Sequence, residues 1–450
     1  MPADSAWLAL ERANNPMTIT VLMRVEGLTP ERLLAFLEAY WLAWERFRCM
    51  PVQRPTGWWW ETDPTFTLKH HLQVNNEPLD EAGLQNWVSA RLNQPLPDYR
   101  PRWKFWLLPN APGGAALVLR LHHCYADGLS LMGVFDSICT PSPRQAPVLY
   151  GCRERTDPGR WREAAESWLA ALQSGRSEMT GTIDRPVSPP QASRIEKAAI
   201  NSLRLVNEVT QFLVEPEDTP SPLKRSLLGR RVCRWSSPVA LAGFRDIARS
   251  TGCTINDVLL ACVTDAMRRV LADSDMVLDD AILHAAVPVD IRSRLPEGIQ
   301  PGPGGLGNFF GTVFVPLPVD GDSPLERLYR VKHETRKLKN SWQPGIAWGL
   351  TGSAAFVPAG WRQPLADLFC RKASAVVSNV PGTTEPRYLA GCRIREQMFW
   401  VPQAGDIGLG ISIVSYAGQV QFGVVADEAI LPEPALFLSH CQAALTEFPT

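Results

Sequence analysis

Residues 115–128 read AALVLRLHHCYADG, and this stretch decides the first half of the fold. An apolar run precedes two histidines, and a second apolar run, LSLMGVFDSI, begins directly after Gly128. The first run has the length and composition of a buried β-strand, so both histidines lie where the strand ends. Asp127 and Gly128 then allow a sharp turn. The pattern predicts an imidazole held rigidly at a strand end, which is how a general base is positioned.

The alternative is that His122 and His123 are structural histidines in a turn. For an isolated histidine pair, that role would be the more common one. The complete string H-H-x-x-x-D-G, directly after an apolar strand, favours catalysis instead.

The rest of the chain shows helical and strand patterns in an irregular order, which predicts an α+β fold rather than a doubly wound parallel sheet. Apolar side chains such as Leu33, Leu37 and Trp41 recur at helical spacing, so residues 30–50 are expected to form one amphipathic helix. Further helices are expected at 6–12, 80–94, 241–252 and 254–273, and strands at 17–27, 104–110, 115–123, 281–292, 311–319, 374–380, 411–418 and 419–427.

The pattern changes between residues 141 and 228, where helical segments are joined by proline-rich stretches such as IDRPVSPPQAS. We interpret this part as a crossover between two lobes. The sequence therefore predicts an N-terminal lobe at 1–140 that carries the two histidines, a helical crossover linker at 141–228 and a C-terminal lobe at 229–450.

Composition excludes several classes of protein. The chain has 450 residues, with 45 lysines and arginines against 46 aspartates and glutamates, and this balance argues against binding to nucleic acid. No uninterrupted apolar run reaches the roughly 18 residues of a membrane-spanning helix. The ten cysteines are scattered without a C-x-x-C pair, which favours reduced, buried thiols. We expect a cytoplasmic protein.

Several motifs in order resemble those of one family. They are DSAWLALERANNPM, PLPDYRPRW, the HHCYADG string, TINDVLLA, VPVDIRS, GNFFGTVFVPLP, SNVPGTTEPRYLAG and SYAGQVQFGVVAD. On these motifs the chain resembles the coenzyme A-dependent acyltransferases with an HHxxxDG motif, and within them the bacterial wax ester synthase/diacylglycerol acyltransferases. The resemblance spans nearly the whole sequence.

This resemblance implies two chloramphenicol acetyltransferase-like lobes with an active-site channel between them. It implies transfer of a fatty acyl group from acyl-coenzyme A to a long-chain alcohol or to diacylglycerol. His123 would act as the general base, with His122 beside it and Asp127 and Gly128 shaping the turn. Acyl-coenzyme A is then a co-substrate, and neither a metal nor another cofactor is expected. Cys124 is not expected to act as a nucleophile, because the similar enzymes work without covalent acylation.

The resemblance also assigns residues in the second lobe. Asn256 would face the channel and donate a hydrogen bond to the oxyanion, with Asp257 beside it. The alternative for both is a plain helix start, because Thr254 can cap the helix and an acidic residue suits its first turn. Arg292 would pair with Asp127 and hold the turn; the alternative is a solvated surface arginine.

Two other functions stay open. One is a condensation-type transferase that uses carrier-bound thioesters, since these enzymes share the HHxxxDG motif. The other is a catalytically inactive lipid-binding or lipid-droplet protein. The intact His123, Asp127 and Gly128 argue against the second, because a binding scaffold needs no base.

The expected acceptors and products are nearly insoluble in water, so we expect peripheral contact with the inner membrane or with lipid inclusions. No polybasic cluster is present to provide electrostatic attachment. The segment Gly57–Trp60, GWWW, is the predicted contact, and packing of these tryptophans on the core is the alternative.

Overall fold

The computed structural model describes most of the chain outside residues 150–215, where the predicted crossover helices fall. The described residues are 2–55, 57–149, 216–274, 276–295, 305–321, 323–339, 343–345, 347–348, 367 and 370–448. None of their helices has the length and apolar character needed to span a bilayer.

The described residues form eight α-helices and fifteen β-strands. The helices are α1 (Pro2–Leu10), α2 (Pro30–Ala39), α3 (Glu81–Leu92), α4 (Gly128–Ile138), α5 (Leu241–Thr251), α6 (Ile255–Ala272), α7 (Pro324–Lys339) and α8 (Pro434–Thr446). The strands are β1 (Thr18–Val25), β2 (Cys49–Arg54), β3 (Gly57–Thr62), β4 (Leu72–Val74), β5 (Trp103–Leu108), β6 (Ala115–His122), β7 (Arg231–Trp235), β8 (Val239–Ala240), β9 (His284–Asp290), β10 (Phe310–Pro316), β11 (Ala375–Pro381), β12 (Tyr388–Leu389), β13 (Cys392–Trp400), β14 (Leu409–Tyr416) and β15 (Gln419–Asp427).

The first sheet has six strands in the order β12-β13-β1-β6-β5-β4. Its central strands, β1 and β6, are antiparallel, with Thr18 opposite His122, and every residue of both is buried. Strand β13 comes from the range predicted for the second lobe, yet it pairs with β1, with Thr20 opposite Trp400. The sheet that carries the histidines is therefore completed by residues from the other half of the sequence.

The second sheet runs β10-β9-β11-β14-β15-β7, with the short β8 beside β15. Strand β11 is parallel to β9 and β14, and the other pairs are antiparallel. Helix α6 packs between α7 and α8 beside this sheet. The largest two clusters of buried apolar side chains follow the two sheets. The predicted α+β fold with two lobes is confirmed.

The long helix predicted at residues 30–50 is wrong beyond Ala39. Two 3-10 turns follow α2, and strand β2 begins at Cys49. The rings of Trp41 and Phe47 stack with their centroids 3.8 Å apart. A continuous helix would place these two residues, six positions apart, on different sides of its axis. Burial of the stacked pair therefore outweighs the helical pattern.

The tryptophan run lies in a two-stranded hairpin, β2–β3, which the sequence analysis did not predict. The ring of Trp60 packs on Tyr125, with centroids 4.7 Å apart. The side chain of Trp59 is 43% exposed, since successive residues of a strand point to opposite faces. One tryptophan of this strand thus packs on the core and its neighbour is partly exposed on the surface, and the lipid contact stays a prediction.

A buried carboxylate joins the two lobes. Asp127 caps the N-terminus of α4, where its Oδ1 accepts a hydrogen bond from Ser130 N at 2.7 Å. Arg292, which follows β9 of the second sheet, donates through Nη2 to Oδ1 at 2.7 Å and to Oδ2 at 2.9 Å. Phe309 N donates to Oδ2 at 2.7 Å, and Asp127 N donates to Gly307 O at 2.9 Å. The contact that the resemblance implied between Asp127 and Arg292 is present.

Because Asp127 is buried, removing Arg292 leaves a carboxylate without its counter-charge. We expect Arg292→Gln to lower the free energy of unfolding by about 3 kcal/mol. Asp127→Asn should also destabilise, and the double variant should cost clearly less than the sum of the two. Urea denaturation of the four proteins measures this coupling. The exposed pair Arg230 and Glu428 is the matched control and should show little coupling. Additive effects of the Asp127 and Arg292 substitutions would contradict the clamp.

Candidate active site

His123 lies directly after strand β6 and is 4% exposed. Its backbone N–H donates to Met17 O at 2.8 Å, which fixes the chain beside the start of β1. Its ring nitrogen Nδ1 lies 2.8 Å from Oδ1 of Asn308. Asn308 stands just before β10 of the second sheet, so the imidazole is held by both lobes.

The partners of Asn308 determine which ring nitrogen of His123 carries the proton. Asn308 Nδ2 donates to Asp4 Oδ1 at 2.8 Å and to the carbonyl oxygen of His123 at 3.0 Å. With its amide nitrogen so engaged, Asn308 presents its oxygen to the imidazole. The neutral ring therefore carries its proton on Nδ1 and keeps the lone pair of Nε2 for a substrate.

Aromatic rings cover the imidazole. The indole of Trp7 stacks on it with centroids 4.0 Å apart and planes at 25°, and Phe310 lies 5.7 Å away. Burial lowers the pKa of His123 to about 3, although the hydrogen bond with Asn308 acts to raise it. His123 is thus neutral, and able to accept a proton, across the physiological pH range.

His122 is held differently from its neighbour. The backbone N–H of Cys124 donates to His122 Nδ1 at 3.1 Å, and Nε2 lies 3.4 Å from Glu11 Oε1. Burial lowers the pKa of His122, while the Glu11 carboxylate acts in the opposite direction. With one nitrogen accepting and the other facing Glu11, His122 is suited to fix the strand end and unsuited to serve as the base.

The thiol of Cys124 is fully buried, and burial raises its pKa well above the ordinary value. A thiol in that state is a poor nucleophile. Within the described ranges, His, Cys, Asp and Glu side chains form no group that could hold a metal ion.

Gly128 begins helix α4 without a positive φ, so the sharp glycine turn that we predicted is wrong. Asp127 makes the turn, as a helix cap in extended conformation. A Cβ at Gly128 would lie 3.9 Å from Val380 Cγ2, in the wall of a pocket. A Cβ at this position would therefore make only an ordinary van der Waals contact.

This pocket is apolar, and Gly128 is the only residue of the HHxxxDG motif that lines it. Its lining runs along α4 from Gly128 to Asp136 and along β1 from Ile19 to Met23, and it holds about 730 Å³ of empty space, part of it open to solvent. Most of its wall is aliphatic, aromatic or methionine. Ile19, one of the lining residues, lies opposite Leu121 of β6, and neither His122 nor His123 lines the pocket. Its shape and lining suit an alkyl chain.

The structure places the two predicted residues of α6 in different surroundings. Both oxygens of Asp257 accept hydrogen bonds, from Thr254 N at 2.8 Å and from Thr335 Oγ1 at 2.7 Å. Together with Thr254, Asp257 forms a capping box, the helix-start role given as the alternative. Asn256 accepts a hydrogen bond from Asn379 Nδ2 at 3.0 Å through its Oδ1.

Asp4, Trp7 and Asn308 were not assigned a role from the sequence, although each lies in a motif that carried the resemblance. The spacing of Asp4 and Trp7 on helix α1 is i, i+3, which puts both on one face. That spacing could have indicated that Asp4 and Trp7 act together. The sequence gives no comparable signal for Asn308, because only the fold brings it to His123.

Two family models match the chain. The wax ester synthase/diacylglycerol acyltransferase catalytic domain matches residues 1–259, which is more than half of the sequence. The WS/DGAT C-terminal domain matches residues 306–448. Together they match residues from both lobes and leave 260–305 unmatched.

Known proteins agree with these matches. A Mycobacterium tuberculosis protein described provisionally as a diacylglycerol O-acyltransferase is 29% identical over 380 residues, 82% of this chain and 77% of that protein. Another is 26% identical over 472 residues, 99% of this chain and 98% of its own. The solved wax ester synthase/diacylglycerol acyltransferase of Marinobacter aquaeolei VT8 superposes with a TM-score of 0.65 at 20% identity, over 100% of this chain and 98% of that one.

The first condensation domain of the calcium-dependent antibiotic synthetase superposes with a TM-score of 0.63 at 16% identity, over 100% of this chain and 96% of that one. At this identity the likeness shows the shared two-lobed fold. The family models decide between the two groups of structures. The chain belongs to the wax ester synthase/diacylglycerol acyltransferase family.

Proposed function

We propose that this chain transfers a fatty acyl group from acyl-coenzyme A to the hydroxyl of a long-chain alcohol or of diacylglycerol. The observation that supports it most is the state of His123, which is buried, neutral, and oriented by Asn308 so that Nε2 is the acceptor nitrogen. An apolar pocket lined partly by Gly128, five residues after His123, offers space for an alkyl chain. The family to which the chain belongs agrees with that chemistry.

The proposed reaction needs one proton carrier. His123 Nε2 takes the proton of the alcohol as its oxygen attacks the thioester carbonyl. The carbon–sulfur bond then breaks, and the imidazolium returns the proton to the departing thiolate. The products are the ester and free coenzyme A, and His123 ends in its starting state. Asp127 does not touch the ring in this scheme; it holds the turn through Arg292.

The oxyanion of the tetrahedral intermediate needs a hydrogen-bond donor. Asn256 is the proposed donor from the second lobe. Its Oδ1 is occupied by Asn379, which leaves its amide nitrogen to donate. Asp257 has no part in this step, because both of its oxygens are used in the helix cap.

The enzyme is also proposed to work at a lipid surface, because acceptor and product are nearly insoluble in water. Trp59 supports this, since it is a large apolar side chain that is 43% exposed on a hairpin next to the first lobe's core. Trp60 belongs to the core side of the same hairpin. Attachment is then reversible and comes from burial of apolar area.

The function is tested by incubating the pure protein with radiolabelled palmitoyl-coenzyme A and a panel of alcohols and diacylglycerol. We expect labelled ester from the wild type and a loss of about 10²–10⁴-fold in rate for His123→Ala, because the general base is removed. Asn308→Ala should lose less, since Nε2 is still present but no longer oriented. His122→Ala should be milder than His123→Ala.

Retention of most of the rate by His123→Ala would show that the base is another group. Turnover that requires a carrier-bound thioester would assign the chain to the condensation-type chemistry. Palmitoyl binding without any turnover would favour the lipid-binding alternative.

The low pKa of His123 makes a prediction about pH. A base that is already neutral needs no deprotonation. The titration of His123 should therefore cause no fall in kcat/KM between pH 8 and pH 5. An exposed histidine would instead titrate near 6.5. Trp7→Ala removes the ring that shields the imidazole, so the pKa of His123 should rise and activity should fall at acidic pH. Trp59→Ala is the matched control and should keep the wild-type profile. A wild-type break near pH 6.5 would contradict the buried, neutral base.

Lipid attachment is tested by flotation with neutral liposomes at low and high salt. Binding should be nearly independent of salt, because burial of apolar area is not screened. Trp59→Ser should weaken it, and Val277→Ser, which removes an exposed apolar side chain from the second lobe, should not. Binding only to anionic vesicles, released by salt, would show that charge provides the attachment. Unchanged flotation of Trp59→Ser would exclude this segment.

A further inference from the structure

A buried ion pair stands behind the residue that orients His123. Asp4, on helix α1, accepts a hydrogen bond from Asn308 Nδ2 through its Oδ1 at 2.8 Å. Its other oxygen, Oδ2, lies 3.5 Å from Nη1 of Arg46, within ion-pair distance. Asp4 is 3% exposed and Arg46 is 6% exposed. Arg46 is thus linked to the imidazole of His123 through two intervening side chains.

Arg46 is held in place by other groups of the first lobe. It belongs to the 3-10 turn Glu45–Arg48, directly before strand β2. Its Nη1 donates to the carbonyl oxygen of Tyr125 at 3.1 Å, and its guanidinium lies over the ring of Trp60, 5.3 Å from the ring centre. A guanidinium in that position is attracted to the face of the ring. These contacts fix the charge of Arg46 beside Asp4.

The charge of Arg46 matters because Asp4 is buried. An ionised carboxylate without a counter-charge is costly away from water, and such a group normally takes up a proton instead. The nearby guanidinium of Arg46 offsets this cost for Asp4. An ionised carboxylate has only acceptor oxygens, whereas a protonated one can also donate. Arg46 therefore determines whether Asp4 can act as a donor towards its neighbours.

A carboxylate at Asp4 permits only one orientation of the Asn308 amide. The amide nitrogen can donate to Asp4, and it also donates to the carbonyl oxygen of His123 at 3.0 Å. Both of these partners accept and neither donates, so the amide oxygen must face His123 Nδ1. A protonated Asp4 would be able to donate to that oxygen instead. The amide could then turn over and donate to Nδ1, and the proton of the neutral ring would be on Nε2.

We propose that Arg46 is a positioning residue for His123. Its charge keeps Asp4 as a carboxylate, and the carboxylate keeps the Asn308 amide in one orientation. That orientation leaves Nε2 of His123 without a proton, ready to accept the proton of the alcohol. The effect of Arg46 on the rate rests on the proposed function, whereas the tautomer of His123 is measurable without turnover.

The test combines nitrogen-15 NMR of histidine-labelled protein at neutral pH with steady-state kinetics of ester formation from palmitoyl-coenzyme A. In Arg46→Gln, part of the His123 population should carry its ring proton on Nε2, because Asp4 has lost its counter-charge. The kcat should fall by about tenfold with KM unchanged, since only the Nδ1–H tautomer can act as the base. Arg46→Lys keeps a positive charge and should restore the single tautomer and most of kcat.

Arg24→Gln is the matched control. Arg24 is also buried in the first lobe, where it pairs with Glu81 at 2.7 Å and with Glu396 at 3.2 Å. It lies at the other end of β1 from the residue that faces His122. Arg24→Gln should also destabilise the protein, because it breaks buried ion pairs, but it should keep the wild-type tautomer and kcat. The comparison separates positioning by Arg46 from a general loss of stability.

If Arg46→Gln does not fold, the double variant Asp4→Asn with Arg46→Gln decides, because it removes both charges of the pair. The neutral amide at position 4 can donate as well as accept. We therefore expect the two tautomers of His123 to be mixed in the double variant as well.

A single Nδ1–H tautomer in Arg46→Gln or in the double variant would overturn the proposal, because Asn308 would then keep its orientation without the ion pair. Mixed tautomers in Arg24→Gln would also overturn it, and so would failure of Arg46→Lys to restore the single tautomer. Mixed tautomers in Arg46→Gln with an unchanged rate would support positioning by Arg46 and contradict the proposed role of His123 as the base.

Discussion

The hydrogen bond between His123 Nδ1 and Asn308 Oδ1 holds together the chemistry and the architecture of this protein. His123 ends a strand of the first sheet, and Asn308 precedes a strand of the second. Asp4, on the first helix, fixes the amide that orients the imidazole. Three distant segments of the chain must therefore be in place before the imidazole of His123 is held in this orientation.

Burial of His123 keeps its imidazole neutral and also requires that the surrounding chain hold the ring in place. Excluding water with Trp7 and Phe310 keeps the imidazole neutral, and a neutral imidazole is the form that accepts a proton. Because the ring of His123 is buried, no water can replace a hydrogen bond that a misplaced ring would lose. The backbone around His123 must therefore be rigid enough to hold the ring in position. Asp127 supplies that rigidity. Its carboxylate receives hydrogen bonds from both lobes within a few residues of His123 and Asn308. The Asp127 clamp and the orientation of the His123 ring therefore depend on the same contact between the lobes.

Local patterns predicted the fold class well. Strands β1 and β6 were expected from mostly apolar runs, and helix α6 from its apolar stripe and its Thr254 cap, because each of these signals is contained in one segment. The break of the helix after Ala39 was not predictable in this way. It results from the stacking of Trp41 on Phe47 and from packing against the rest of the core, neither of which a periodic pattern encodes.

The candidate site, like the fold, combines residues that local patterns single out with residues that only the tertiary structure brings together. His123, Asp127 and Gly128 stand in one short string and were found there, and the resemblance supplied Arg292. Asn308 could not be found from spacing, because it lies 185 positions after His123 and meets it only through the pairing of lobes. The glycine turn expected at Gly128 is absent, because its φ is not positive and Asp127 makes the turn as the helix cap.

Nitrogen-15 NMR of the protein labelled at histidine tests the central claim most directly, because it reports the protonation of each ring nitrogen. The account predicts that His123, identified by its loss in His123→Ala, carries a proton on Nδ1 and none on Nε2 from pH 8 down to pH 5. It also predicts that Asn308→Ala mixes the two tautomers. An imidazolium at pH 6, or a proton on Nε2 in the wild type, would contradict it.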